Sequence, residues 1–179
     1  MNRLVDRGAV FAGWVGLGVA IVAIIAFALV IAVQGLVFLL ALPIGLLLGW
    51  YANVRSDRRR PRRRVLANAG YAGLVTALGL ALLYVSLRLV FVYGDTGALP
   101  GGDRLECRMG PECTYARHVA DGRGPDLAGQ GITDASSFEA AVLREQALAG
   151  AALFGLTLGG AVLAGAGQSL SPSAERRRD

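Results

Sequence analysis

The chain has no lysine, one histidine and two cysteines among 179 residues, and only 17% of it is charged. Each shortage removes a class of function. Covalent haem attachment needs C-x-x-C-H. Here Cys113 is followed by Thr114, Tyr115, Ala116, Arg117 and His118, with no second cysteine before the histidine. A membrane thiol oxidoreductase needs an active C-x-x-C and a partner pair, and the chain has one pair in total. Zinc wants four ligands; Cys107, Cys113 and His118 offer three, without C-x-x-C spacing. A Ser-His-Asp hydrolase is not supported either, since no G-x-S-x-G is present. No metal or cofactor is expected.

Charge is missing where transport chemistry would need it. No Asp, Glu or His lies at the centre of an apolar run; the polar residues there are Thr76, Ser86 and Thr157. Proton relays and ion pathways rely on intramembrane carboxylates or histidines, so a pump or proton-coupled transporter is disfavoured. No internal repeat suggests an inverted-repeat transporter.

What the chain has is apolar length and arginine. Residues 9–52 are almost unbroken apolar sequence. As one helix they would be roughly twice the ~30 Å hydrocarbon thickness, so they must fold back. Gln34 and Gly35 mark the turn. This stretch is too long for a signal-peptide core of ~7–15 residues, and no cleavage site follows it. The expected class is an all-α membrane protein, a single domain built as a four-helix bundle. Its spans fall at about 10–33, 36–53, 65–93 and 145–168. Pro43 sits inside the second span, where a kink is expected. A basic loop (54–64) joins spans two and three, a polar segment (94–144) joins three and four, and a tail (169–179) follows.

All 18 basic residues are arginine. A genome rich in G and C accounts for that bias better than any physical demand. Their distribution does carry information. Twelve arginines fall at the N-terminus, in the loop 54–64 and in the tail, against four acids; the segment 94–144 has five arginines against eight acids, nine with the adjoining Glu145. Short arginine-rich loops stay cytoplasmic, so both termini are expected inside the cell membrane and the polar segment outside. Trp14, Trp50, Tyr51 and Tyr71 then fall near the inner interface and Tyr93 near the outer one. Arg58, Arg59, Arg60, Arg62, Arg63 and Arg64 flank Pro61. Such a cluster sets topology and attracts anionic lipid headgroups. No aromatics interleave it, so nucleic acid is not an expected partner.

Three local features complete the reading. Small residues recur every fourth position: Ala12, Gly16 and Ala20; Ala41, Gly45 and Gly49; Ala69, Gly73, Ala77 and Ala81; Ala147, Ala151, Gly155 and Gly159. Such stripes let helix backbones approach closely. Cys107 and Cys113 bracket a Gly-Pro turn and are expected to form a disulfide in an oxidising compartment. Arg88, near the outer end of the third span, is expected to pair with Glu145 at the interface. A helix should start near Ser137 behind a Ser136-x-x-Glu139 capping box, while 122–127 reads as irregular loop.

The leading functional expectation is a non-enzymatic scaffold or accessory subunit of a membrane assembly. Its partners would be lipid and a second copy or another membrane protein. A small-solute carrier or channel acting as an oligomer is the runner-up. An exofacial thiol redox protein using Cys107 and Cys113 is the third.

Overall fold

The computed structural model describes residues 4–26, 35–56, 61–99 and 102–170. The order of elements is α1 (Arg7–Ile25), α2 (Leu36–Val54), α3 (Arg62–Tyr93), α4 (Pro111–His118), a π-helical turn (Val119–Arg123), α5 (Gly124–Gly129) and α6 (Ala135–Leu170). Helices α1, α2, α3 and α6 are each long and apolar enough to cross a membrane. The helix is the form such runs favour, because it satisfies the backbone polar groups within the segment. The chain forms two compact units: the described residues of Met1–Tyr84 with Gly150–Asp179, and Val85–Ala149.

In the first unit, close approach of backbones does the packing. On α2, a Cβ added at Gly45 would strike the Thr157 carbonyl oxygen, and one at Gly49 the Ala161 carbonyl oxygen. From the other side, Gly160 of α6 faces the Leu42 carbonyl. Gly73 of α3 lies against Ala161, and Gly16 of α1 against Thr76 of α3 and Leu48 of α2. Ala12, Ala20, Ala41, Ala69 and Ala77 are fully buried. Leu80, Leu153 and Val37 are buried with them, but many large apolar side chains point the other way: Trp14, Val22, Leu39, Leu47, Leu82 and Leu163 are all exposed. A soluble fold would reverse this pattern.

The stripes expected on the first three helices are therefore buried, except for the half-buried Ala81. The stripe on the fourth is not. Ala147, Ala151 and Gly155 are exposed and Gly159 is half-buried; the buried line on α6 is Gly150, Leu153, Thr157, Gly160, Ala161 and Gly165. This helix carries small residues on several faces, so spacing alone could not choose among them. The choice fell to the face that complements Gly45, Gly49 and Gly73.

The buried polar groups of this unit are uncharged amides and hydroxyls. Thr76 donates to the Ala72 carbonyl at 2.8 Å. Asn53 donates to the carbonyls of Gly49 and Val65, the second on α3. Asn68 is fully buried; its amide oxygen accepts from the Asp6 backbone N–H at 3.0 Å and its amide nitrogen donates to the Asp6 carboxylate at 2.9 Å. Asp6 is the residue before α1, yet its side chain makes no cap hydrogen bond to that helix. It ties the start of α1 to α3 instead.

Several boundaries differ from the sequence expectation. Helix α1 is described to Ile25, and the rest of the expected first span, with the proposed turn residue Gln34, lies outside the described residues; Gly35 is a turn residue preceding α2. Helix α2 runs through Pro43 from Leu36 to Val54. Arg62, Arg63 and Arg64 form the first turn of α3 rather than the end of a loop. Arg58, Arg59, Arg60 and the arginines of the tail lie outside the described residues.

In the second unit, Val85–Tyr93 of α3 and Ala135–Ala149 of α6 flank α4, the π turn and α5. Residues 122–127, expected as loop, are helical on both sides of a break at Gly122, whose φ of 79° suits glycine. Pro125 in the first turn of α5 tolerates the absent donor there. The expected capping box also moves. Asp134 accepts from the Ser137 backbone N–H at 2.7 Å, and the Ser137 hydroxyl accepts in return from the Asp134 N–H at 3.1 Å. It is the same reciprocal device two residues earlier, with Asp134 as the capping side chain. Glu139, released from that role, accepts from the Tyr93 hydroxyl.

Candidate functional site

The second unit is organised around Cys113, which is fully buried near the start of α4. Gly110 and Pro111 create that start: Gly110 has φ 112°, open to glycine, and Pro111 begins the helix. The sulfurs of Cys107 and Cys113 lie at disulfide distance, with Cα atoms 5.1 Å apart. Gly97 roofs the pair. Its φ is +72°, and a Cβ there would sit 2.7 Å from the Cys107 sulfur and 3.3 Å from the Cys113 sulfur. Glycine is needed on both counts.

A second clasp lies beside it. Arg117 grips Asp95 through Nε at 3.1 Å and Nη2 at 2.6 Å, and donates from Nη1 to the Ala98 carbonyl at 2.9 Å. Asp95 also accepts from the Gly97 N–H at 2.9 Å, while its own carbonyl accepts from the Gly110 N–H. The Arg117 hydrogen bonds hold the Asp95 carboxyl below the usual range, with the Gly97 N–H adding to the effect. The same carboxylate raises the Arg117 guanidinium. This pair gave no sequence signal, because Asp95 and Arg117 are separated by a long, irregular stretch.

An aromatic cluster forms the other half of the unit. Phe138 packs edge-on against His118 at 5.4 Å between ring centroids and beside Tyr115 at 6.0 Å. The Tyr115 hydroxyl donates to the Thr133 carbonyl at 2.8 Å, and the Thr114 hydroxyl to the Val92 carbonyl at 3.2 Å. Burial lowers the His118 pKa, and neighbouring Arg123 adds to the shift. Arg123 Nη2 stands 2.9 Å from His118 Nδ1, a contact that suits a neutral imidazole accepting at that nitrogen.

Beside this cluster is a cavity of about 700 Å³. Its apolar wall includes Phe91, Val92, Leu127, Phe138 and Leu148; its polar wall includes Arg88, Arg123, Arg144, Glu145 and Gln146. Arg88 and Glu145 thus border the same space. No ion pair joins them, however: the pairs between described residues in this unit are Arg117–Asp95 and a loose Arg123–Asp121 contact at 4.0 Å. Gln146 is 3% exposed, and its side-chain carbonyl oxygen has no hydrogen-bond partner. Sequence reasoning missed Gln146 because one glutamine next to Glu145 looks like a solvated face.

Cys107, Cys113 and His118 do not assemble as metal ligands, since the two sulfurs face each other. Among the described residues no group of three His, Cys, Asp or Glu side chains could hold a metal ion. No family model matches the chain, and neither a curated protein nor a solved structure similar to it was found.

Proposed function

We propose that this chain is a multi-pass cell-membrane protein with both termini in the cytoplasm and the segment 94–144 on the outer face, serving as a non-enzymatic scaffold or accessory subunit of a membrane assembly. The carrying observation is the construction of the first unit. Gly45, Gly49 and Gly160 bring helix backbones into direct contact, while large apolar residues such as Trp14, Leu39 and Leu163 face outward. Such close backbone packing suits a structural part better than a gated path. The arginine asymmetry supports the orientation. The Cys107–Cys113 pair agrees with it, because disulfides persist in oxidising compartments.

The carrier reading has one observation in its favour, the cavity beside Arg88. All of its lining residues belong to the second unit. The thiol-redox reading meets a fully buried Cys113 under Gly97, a poor target for an attacking thiolate. Reconstitution separates these readings. The protein is extracted in native-membrane nanodiscs for mass determination and also placed in dye-loaded liposomes. The scaffold reading expects an oligomer or a stoichiometric complex and liposomes that stay sealed to small solutes. A monomer that carries solutes across would sink it.

A further inference from the structure

We propose that the cavity of the second unit binds an anionic phospholipid of the glycerol-headed class, with its phosphate held by Arg88 and Arg144, its headgroup hydroxyls by Gln146, and an acyl chain along the apolar wall. The proposal rests on the membrane reading above but not on the scaffold role.

Charge complementarity is the first ground. Arg123 is already engaged by His118 and Asp121. Arg88 and Arg144 border the cavity from α3 and α6, and no ion pair between described residues occupies either guanidinium. Guanidinium forks match phosphate oxygens and are weakly hydrated, so they suit a partly dry site. Glu145 is the one acid in the lining, and it excludes a small dianion more strongly than a singly charged diester.

Gln146 supplies the second, independent ground. A carbonyl oxygen buried without a partner carries an uncompensated desolvation penalty. A side-chain amide can present either its donors or its acceptor after a flip. A ligand that carries both phosphate oxygens and hydroxyls satisfies it in either orientation. A quaternary-ammonium headgroup has no donor to offer.

Shape and depth agree. Phe91, Leu127 and Leu148 give the space an apolar side, which inorganic phosphate would leave unused. Counted from Val65, about twenty residues bring α3 to the outer boundary of the hydrocarbon close to Arg88. That is the level at which lipid phosphates lie.

The test is native mass spectrometry of the full chain in a neutral sugar detergent, titrated with phosphatidylglycerol, phosphatidylcholine or inorganic phosphate. The detergent format reads headgroup binding whatever the orientation or assembly state, so a failure here leaves those readings standing. One equivalent of phosphatidylglycerol should be retained about tenfold more tightly than phosphatidylcholine, which has the same phosphodiester but offers Gln146 no hydroxyl and sets a quaternary ammonium beside Arg88 and Arg144. Arg88→Gln with Arg144→Gln should weaken that binding by about tenfold or more. Gln146→Leu should weaken phosphatidylglycerol by about threefold to tenfold and leave phosphatidylcholine unchanged. Arg62→Gln with Arg63→Gln, which alters the other basic cluster, should leave the single tight equivalent intact. If the double glutamine variant does not fold, Arg88→Lys with Arg144→Lys decides. An ammonium keeps the charge but loses the fork, so weaker binding is expected and undiminished binding overturns the proposal. Equal retention of the two lipids also overturns it, as does inorganic phosphate binding as tightly as the lipid.

Discussion

The two units of this chain solve the same problem with opposite materials. The first, largely spans, is held by what is missing: without side chains at Gly45, Gly49 and Gly160, carbonyls and Cα atoms of α2 and α6 come into contact. The second has three short or interrupted helical pieces and little apolar mass. It is held by added links: Cys107 with Cys113, Asp95 with Arg117, and the reciprocal Asp134–Ser137 cap. On the proposed membrane reading, the contrast follows from solvent. In hydrocarbon, burying an apolar side chain between helices gains little over leaving it in lipid, so close backbone packing decides. In water, a piece this small cannot bury enough apolar surface to hold itself without staples.

The largest effect should come from refilling a gap in the first unit. Gly49→Leu places a side chain where the Ala161 carbonyl stands. It should cost about 3 kcal/mol, the upper part of the overpacking range, and reduce folded protein in a detergent-unfolding titration. Gly155→Leu is the matched control. Nothing lies within 4 Å of its added Cβ, so the change should be neutral or stabilise by up to about 1 kcal/mol through helix propensity. Equal damage from both would dissolve the distinction between the two faces of α6.

Next comes the cysteine clasp. Cys107→Ser with Cys113→Ser should destabilise the second unit by on the order of 2 kcal/mol, given the short ring. Hydrogen exchange should report the loss in residues 94–132 while the described spans of the first unit stay protected. Alkylation of wild-type protein without reductant should leave both thiols unmodified. Two alkylated cysteines in a non-reducing preparation would count against the clasp.

A smaller effect is expected from the ion pair, and it carries a pH signature. The Asp95 carboxyl titrates below its ordinary value in the folded chain because Arg117 binds its ionised form. Its contribution is therefore present above the unfolded value, about 3.9, and is lost as pH falls through the lower folded value. Acidification below about pH 4 should thus loosen the second unit. Arg117→Leu should lower stability at neutral pH and flatten this acid dependence. A melting curve whose acid slope ignores that substitution would remove the pair from the account.

The smallest effect should follow Asp134→Ala. The carboxylate titrates low because the Ser137 backbone N–H and the Ser136 hydroxyl bond to it. Exchange should quicken in the first turn of α6 and nowhere else. Protection unchanged at Ser137 and Phe138 would mean that Ser137 alone caps the helix.

The first unit was more legible in sequence than the second, for a physical reason. Spans are long averages of hydropathy, so four of them survive uncertainty at any single residue. Stripe spacing likewise located the buried faces of α1, α2 and α3. It failed on α6, where helical spacing fits more than one face and only the partner helices could choose. The Asp6–Asn68 tie was missed because each residue, taken alone, looks like an ordinary flank of an apolar run. In the second unit, the cysteine pair was legible because its chemistry is specific and its spacing short. Asp95–Arg117 was not, since no periodicity links residues across an irregular stretch. The expected Arg88–Glu145 pair placed both residues beside one cavity but mistook a shared lining for a bond; α3 and α6 carry them to the same space without bringing the charges together.

On the proposed topology the two units face different solvents, and accessibility labelling tests this most directly. Single cysteines are introduced at Ser56 and at Thr133, with the Cys107–Cys113 pair left intact, and whole cells are treated with a membrane-impermeant maleimide. The account expects labelling at position 133 in intact cells and at position 56 only after permeabilisation. Labelling at position 56 but not at position 133 in intact cells would invert the topology, and labelling at both would mean that the intervening helix α3 does not cross.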